Sequence, residues 1–328
     1  MRYKKGKRGM IRIKWIREFS DFLKRLFFKN EVRGPAIYCK SCGSKEAVFW
    51  KSIKSKYSLN GRVIESVFSI RRCLHCNLKR VDPLLTQDML LKLYDEDYYR
   101  QYLDNADARK GYFTDMLNTL GGLVRKGKIL DVGCGDGLFL RLAREDGWDV
   151  YGIEPSGTAA NLAKERHGVD IFNGLPEESG FKKGDFNAVT LFNVLGHMRD
   201  PAPCVGALKE LLTGDGLLVI ETPNFRNIWY RYRLLENKLL GIDDLHIPRM
   251  IYWFDLDSLS SMLNRFGFEI VGVKFINYGA KTPAPKPGVP FIKKAYLYYR
   301  SIVKASCNAL SALCGSGDHI RVMCRRRG

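Results

Sequence analysis

Two rhythms of apolar and polar residues run along this 328-residue chain. From Lys128 onward, short apolar runs alternate with segments whose apolar positions recur every three or four residues. The first pattern marks strands and the second marks helices. Strands are predicted at 128–132, 148–153, 169–172, 186–192, 216–221, 268–276 and 319–325. Helices are predicted at 137–146, 156–167, 202–213 and 255–266. Alternation of this kind builds a mostly parallel sheet with helices on its faces. The expected fold class is therefore α/β, Rossmann-like, with seven strands.

Upstream the pattern changes. Trp15, Phe19, Phe22, Leu23 and Leu26 recur at helical spacing within residues 10–28, with Arg12, Lys14, Arg17, Lys24 and Arg25 between them. Such a helix either docks on the protein's own body or lies on a membrane surface. Residues 84–125 read as mostly helical and include a tyrosine-rich stretch, LYDEDYYRQY, at 93–102. A proline-rich loop at 281–290 leads into a further helix at 291–312. That helix mixes Phe291, Ile292, Tyr296, Tyr299, Ile302 and Val303 with Lys293, Lys294, Arg300 and Lys304. It either faces lipid or covers the active site or a partner chain.

The net formal charge is +19, and its placement matters more than its size. Residues 1–34 hold 12 Lys/Arg against 3 Asp/Glu, and residues 281–328 hold 10 against 1. The stretch between them is almost balanced. A nucleic-acid cleft would spread basic residues around itself, so this distribution argues against nucleic acid. Peripheral association with an anionic membrane surface suits it at least as well. No apolar run is long enough to span a bilayer. The N-terminal stretch is too charged for a secretory signal.

Four of the nine cysteines form two pairs, Cys39-x-x-Cys42 and Cys73-x-x-Cys76, 30 residues apart. Two turns, each offering two thiolates, can close a tetrahedron around zinc. Gly43 permits the tight backbone of the first turn, and β-like runs at 47–50 and 62–70 lie between the pairs. This is a zinc-ribbon pattern. Four protein ligands leave no open position, so the metal is expected to be structural; His75 is the competing ligand. Cysteines spaced for metal rather than disulfides also point to a reducing, cytoplasmic setting. The expected organisation is a basic segment at 1–34, a zinc-ribbon module at 35–83 and the α/β domain at 84–328, with a basic helical insertion at about 281–316.

The richest signal is KILDVGCGDGLFL, residues 128–140. An apolar strand ends in Asp131, glycines follow at 133, 135 and 137, and a helix begins. The next strand ends in Glu154, placed to accept the ribose hydroxyls of an adenosine. A nicotinamide-dependent oxidoreductase shares part of this pattern and is the competing reading. The alternating G-x-G-x-G, with an acid on the strand before it, resembles the class I S-adenosylmethionine-dependent methyltransferase family.

The resemblance covers roughly residues 90–328. It implies S-adenosylmethionine as cofactor, held by Asp131, Gly133, Cys134, Gly135, Gly137, Glu154, Pro155, Leu175 and Asn193. Asp131 and the glycines fall on the methionine side. Asn173 stands where the family often has an aspartate. Tyr98 and Tyr99 resemble the family's aromatic lid.

If the acceptor is a hydroxyl, a general base removes its proton. His197, after the fourth strand of the pattern, is the first candidate and His246 the second. Some relatives surround this histidine with metal-binding glutamates, but this chain has Asn193 and Gly196 there, so no catalytic metal is expected. A zinc ribbon ahead of such a domain resembles methyltransferases of bacterial sugar and polysaccharide pathways, which implies a small-molecule, sugar or lipid-linked glycan acceptor. The alternatives are a ubiquinone-type O-methyltransferase at the inner membrane face and an RNA methyltransferase.

Overall fold

The computed structural model describes residues 38–59, 61–94, 106–240, 245–278 and 291–327. The amphipathic stretch at 10–28, Tyr98, Tyr99 and the proline-rich loop at 281–290 lie outside these residues.

The large sheet has six strands: β4 (Lys128–Val132), β5 (Asp149–Ile153), β6 (Phe186–Phe192), β7 (Leu212–Pro223), β9 (Phe268–Ile276) and β10 (His319–Arg326). Their order is β5-β4-β6-β7-β10-β9. The pairs β4–β5, β4–β6 and β6–β7 are parallel, and β10 is antiparallel to both β7 and β9. The expected seventh strand at 169–172 is absent as a strand. Only a single parallel bridge, Ile153 to Phe172, forms there. Val169 and Ile171 pack into one apolar cluster and Phe172 against the other, but only Phe172 exchanges backbone hydrogen bonds with the neighbouring segment, at Gly152 and Glu154.

Alternate residues of each strand enter different cores. Leu130, Val132, Val189, Leu191, Leu218 and Ile220 pack on one face against α5 (Pro201–Leu211) and α7 (Leu256–Arg265). Ile129, Ala188, Leu217 and Val219 pack on the other against α2 (Ala106–Gly121) and α3 (Leu138–Glu145). Three further α-helices are α1 (Gln87–Leu91), α4 (Gly157–His167) and α6 (Ile228–Leu240). A fourth, α8 (Phe291–Leu313), lies between β9 and β10. The sequence pattern missed α6.

The cysteine-bearing module is a second sheet. Its strands β1 (Ala47–Leu59) and β2 (Arg62–Cys73) form a hairpin much longer than the two runs read from sequence. β3 (Lys79–Asp82) follows, and the fourth strand is β8 (Tyr252–Trp253), which comes from far along the chain. Lys79 pairs with Trp253 and Arg80 with Tyr252. Cys39, Cys73 and Cys76 belong to the same buried cluster as Tyr252, Leu259 and Met262. The module and the α/β domain thus share a strand and a core. Short hydrogen bonds reinforce the join: Ser41 Oγ donates to the Ser258 carbonyl at 2.6 Å, and Ser55 Oγ to that of Ile247 at 2.6 Å.

Candidate active site and metal centre

The chain lays β5 on one side of β4 and β6 on the other, so strand order reverses at β4. A crevice opens beyond the carboxyl ends of parallel strands at such a point. The turn after β4 and the loop after β6 face each other across it. Gly133, Gly135 and Gly137 all adopt positive φ, which a Cβ makes costly. Space is also short: a Cβ on Gly133 would come within 2.4 Å of Val194 Cγ2, and one on Gly137 within 2.9 Å of Ala163 Cβ.

Glu154 closes β5 and is 6% exposed. One carboxylate oxygen accepts from the Gly135 N–H at 3.0 Å and the other from the Ser156 N–H at 2.9 Å. A carboxylate has about four acceptor positions, two on each oxygen. Asn173 does not replace a missing acid; its amide donates to the Glu154 carbonyl at 2.9 Å and so fixes the backbone behind the carboxylate. Pro155 and Leu175 are half-buried, and the Leu175 N–H donates to Glu178 at 2.8 Å.

Asp131, at 3% exposure, accepts from Thr190 Oγ1 at 2.7 Å. Burial pushes its pKa up to about 8; the Thr190 bond opposes the shift and the nearby Glu154 charge adds to it. Burial also raises the Cys134 thiol well above its usual range. Asn193, with φ 58°, donates its backbone N–H to the Glu221 carbonyl at 2.8 Å. Its buried Oδ1 has no hydrogen-bond partner among the described residues. An orphaned acceptor of that kind costs about 1–3 kcal/mol, which a ligand's donor would offset.

Sequence reasoning missed the anchor of the glycine turn. Asp136, within that turn, takes a two-pronged ion pair from Arg109 of α2, at 3.0 and 2.8 Å. A planar guanidinium matches a carboxylate in this fashion and fixes its orientation. Nothing in the pattern links positions 109 and 136. A second missed group lies further along the same edge. Glu221 is fully buried; Arg321 Nε donates to it at 2.9 Å and the Tyr278 hydroxyl donates to its other oxygen.

His197 stands in the turn after β6. Its Nδ1 lies 2.9 Å from the Tyr94 hydroxyl and 3.1 Å from the Arg249 carbonyl oxygen. The Arg249 carbonyl can only accept and so favours a proton on Nδ1, whereas the Tyr94 hydroxyl can donate to an unprotonated Nδ1. Burial pushes the imidazole down to about 4, so it is neutral at physiological pH. Its neighbour Gly196 joins this turn to the module: the Gly196 carbonyl accepts from Ile251 at 2.8 Å and from Tyr252 at 3.0 Å. A Cβ there would meet the Tyr252 carbonyl at 2.9 Å. His246, by contrast, is exposed and held at φ 57°. It lines a cavity of about 230 Å³ with Lys56, Tyr57, Ser58, Leu93 and Arg249.

The sulfurs of Cys39, Cys42, Cys73 and Cys76 all lie within 4.8 Å of one another, an arrangement that could hold a metal ion. Cys39–Cys76 and Cys42–Cys73 are separated by 3.5 and 3.6 Å. A tetrahedron with metal–sulfur bonds of about 2.3 Å has edges of roughly 3.8 Å, so the spacing fits. Both turns are built alike. Gly43 and Asn77 follow the second cysteine of each pair, take φ of 79° and 67°, and donate back to the carbonyls of Cys39 and Cys73. His75 is not part of the cluster.

Comparison with known proteins gives the following. Residues 98–273 match the model of a family described as a methyltransferase domain. A ubiquinone biosynthesis O-methyltransferase from Psychrobacter cryohalolentis is 37% identical over 156 residues, 45% of this chain and 55% of that protein. One from Methylococcus capsulatus is 29% identical over 170 residues, 47% of this chain and 68% of that protein. The chain thus spans about half the length of several of the curated relatives it matches. Among solved structures, a SAM-dependent methyltransferase from Archaeoglobus fulgidus superposes with a TM-score of 0.48 at 15% identity, covering 69% of this chain and 99% of that one.

Proposed function

The chain belongs to the methyltransferase-domain family, whose model spans more than half of it, and from that premise we propose that it transfers a methyl group from S-adenosylmethionine to a small polar acceptor, a sugar or a lipid-linked glycan. The observation that carries the reading is the buried Glu154 carboxylate beside the left-handed glycine turn, at the reversal of strand order. Glu154 would take the ribose hydroxyls, with Pro155 and Leu175 alongside. Asp131 and the turn at Gly133–Gly137 would hold the methionine end, and Asn193 Oδ1 would take a donor from the ligand. When bound, the cofactor supplies an electrophilic methyl group on sulfur.

The protein's part is to align the acceptor, exclude water and take a proton. His197 suits the last task because the Nδ1–H tautomer favoured by the Arg249 carbonyl keeps a lone pair on Nε2 to take the proton. With His197→Gln, kcat should fall about 100- to 10,000-fold while cofactor affinity is unchanged, the range typical for loss of a general base. Because His197 stays neutral down to about pH 4, the acid limb of the wild-type kcat profile, taken at saturating cofactor, should lie near 4 and not near the ordinary histidine value of about 6.5. A limb near 6.5 would remove His197 from the role.

Asp131 yields a second expectation. Its raised pKa means that it is largely protonated at pH 7 in the free protein. A cofactor carrying an ammonium and a sulfonium favours the carboxylate, so binding should release up to one proton. Affinity should therefore climb by as much as tenfold per pH unit below about 8 and flatten above it. Calorimetry in buffers of different ionisation enthalpy reads this release, which Asp131→Asn should abolish. In the free protein, protonated Asp131 favours the fold at low pH, and that contribution is lost as pH rises through about 8.

For the acceptor, the cavity beside Arg249 is informative. Lys56, His246 and Arg249 line it, and the Arg249 carbonyl touches His197. The Arg249 guanidinium and Lys56, itself paired with Glu65, give that wall positive charge, which suits an acceptor that carries phosphate. His246 then contributes to binding, with His197 at the reacting centre. Peripheral association with an anionic membrane, which would bring a lipid-linked acceptor to the site, is part of this reading. No helix among the described residues is long and apolar enough to cross a membrane. The curated relatives favour a second reading, a quinone-type hydroxyl acceptor. Zinc is the metal we assign to the four cysteines, in a structural role. Transfer of tritiated methyl from S-adenosylmethionine to cell extracts split into lipid, glycan and RNA fractions tests the acceptor. Label in the lipid or glycan fraction supports the first reading, label on quinone the second, and label on RNA overturns both.

A further inference from the structure

Helix α8 is built inside out. On an ordinary surface helix the apolar stripe faces the core and the polar residues face water. Here the buried side carries Asn308 and Ser311, together with Cys307. Asn227 donates to Ser311 Oγ at 3.0 Å, and Asn308 donates to the Tyr278 carbonyl at 3.3 Å. Lys304 turns inward to Asp318 at 3.6 Å, and the Arg300 guanidinium sits 5.8 Å from the Trp229 ring centroid on α6.

The apolar side chains point the other way. Phe291, Tyr298, Ile302, Leu310 and Leu313 are 83%, 70%, 53%, 52% and 66% exposed. At about 100° per residue they fall within an arc of roughly 120°, along a helix of about 35 Å. Ala295, Ala305 and Ala309, also exposed, extend that face. An exposed apolar strip of this length on a monomer marks a surface that something covers.

Charge identifies the occupant. The helix contains no aspartate or glutamate, Lys294 borders the strip, and residues 281–328 hold a single acid. A second copy of the chain would bring the same excess of cations against them. We propose that the outward face of α8 is the surface on which the protein rests on an anionic lipid bilayer, with Tyr298, Ile302 and Leu313 entering the headgroup boundary and Lys294, at the edge of the strip, meeting lipid phosphates. This deepens the membrane-face part of the function proposed above and rests on that part alone.

The test is flotation of the full chain with vesicles of phosphatidylcholine alone or with about a third phosphatidylglycerol, a content that makes the surface strongly anionic. Wild type should float with the anionic vesicles and be released by salt. Tyr298→Glu/Ile302→Glu places two charges at exposed positions, so thermal unfolding should be unchanged while flotation drops at least tenfold. Glu154→Ala should float like wild type, which separates failure of the surface from failure of the cofactor reading. If the double variant floats as well as wild type, or wild type never floats, the proposal is wrong. It is equally wrong if wild type sediments as a dimer and the double variant as a monomer, since a second copy then covers the strip.

Discussion

Glu154→Ala should weaken binding of S-adenosylmethionine and of its demethylated product by at least about a hundredfold, close to 2.7 kcal/mol. Two losses combine. The ribose hydroxyls lose a charged acceptor, worth about 1.5–3 kcal/mol per bond. The N–H groups of Gly135 and Ser156, at 3.0 and 2.9 Å from the carboxylate, lose the group that fixes them, so the glycine turn loosens as well. Glu154→Gln should recover little, because its amide nitrogen would face one of those two N–H donors. Isothermal titration reads both variants. Near-parental affinity in the alanine variant would end the adenosyl assignment, whatever the acceptor proves to be.

Metal removal should have the largest effect on stability. A structural zinc site contributes about 10–16 kcal/mol of apparent binding energy, as much as the whole folding stability of an ordinary domain. Three of the four cysteines lie in the main core with Tyr252 and Leu259. Treatment with a strong chelator, or Cys73→Ser, should therefore lower the melting temperature of the entire chain, not of a detachable module. Activity should fall in parallel. The path is short: the cysteine turn holds β3, β3 pairs with β8, and Tyr252 of β8 donates to the carbonyl of Gly196, next to His197. Zinc content by atomic emission should be one per chain in the parent and near zero in the variant. A metal-free variant that melts and turns over like the parent would remove the structural role.

Sequence periodicity located most of the large sheet, and the reasons are local. β4, β6 and β9 begin and end as the pattern predicts because turn residues and apolar runs coincide there. The segment at 169–172 has the composition of a strand, but pairing depends on a neighbour, and only Phe172 meets one. The hairpin β1–β2 was read too short for a different reason. Its inward face includes the buried Ser55 between Ile53 and Leu59, with Lys54 and Lys56 outside, so the alternation is masked by a polar residue facing in. α6 hides in a mixture of aromatic and basic residues, WYRYRLLENKLL, whose hydrophobic side has no simple period.

The site divides in the same way. Asp131, Glu154, the glycines and the cysteine pairs were legible because backbone geometry fixes their spacing. Arg109–Asp136, the two partners of His197 and the Glu221–Arg321 pair join residues far apart in the chain, where only the fold supplies the register. The direction of α8 was beyond reach for a related reason: a helix with both aromatic and cationic residues declares two faces, but not which one turns inward.

The two-residue strand β8 decides how this protein can be cut. Any fragment ending before Tyr252 would leave Lys79–Asp82 with a bare edge, and any fragment starting after Asp82 would strand Tyr252 and Trp253 without their neighbours. Open backbone edges of that kind recruit other chains. A recombinant truncation near residue 83 should therefore yield aggregate where the intact chain yields folded protein.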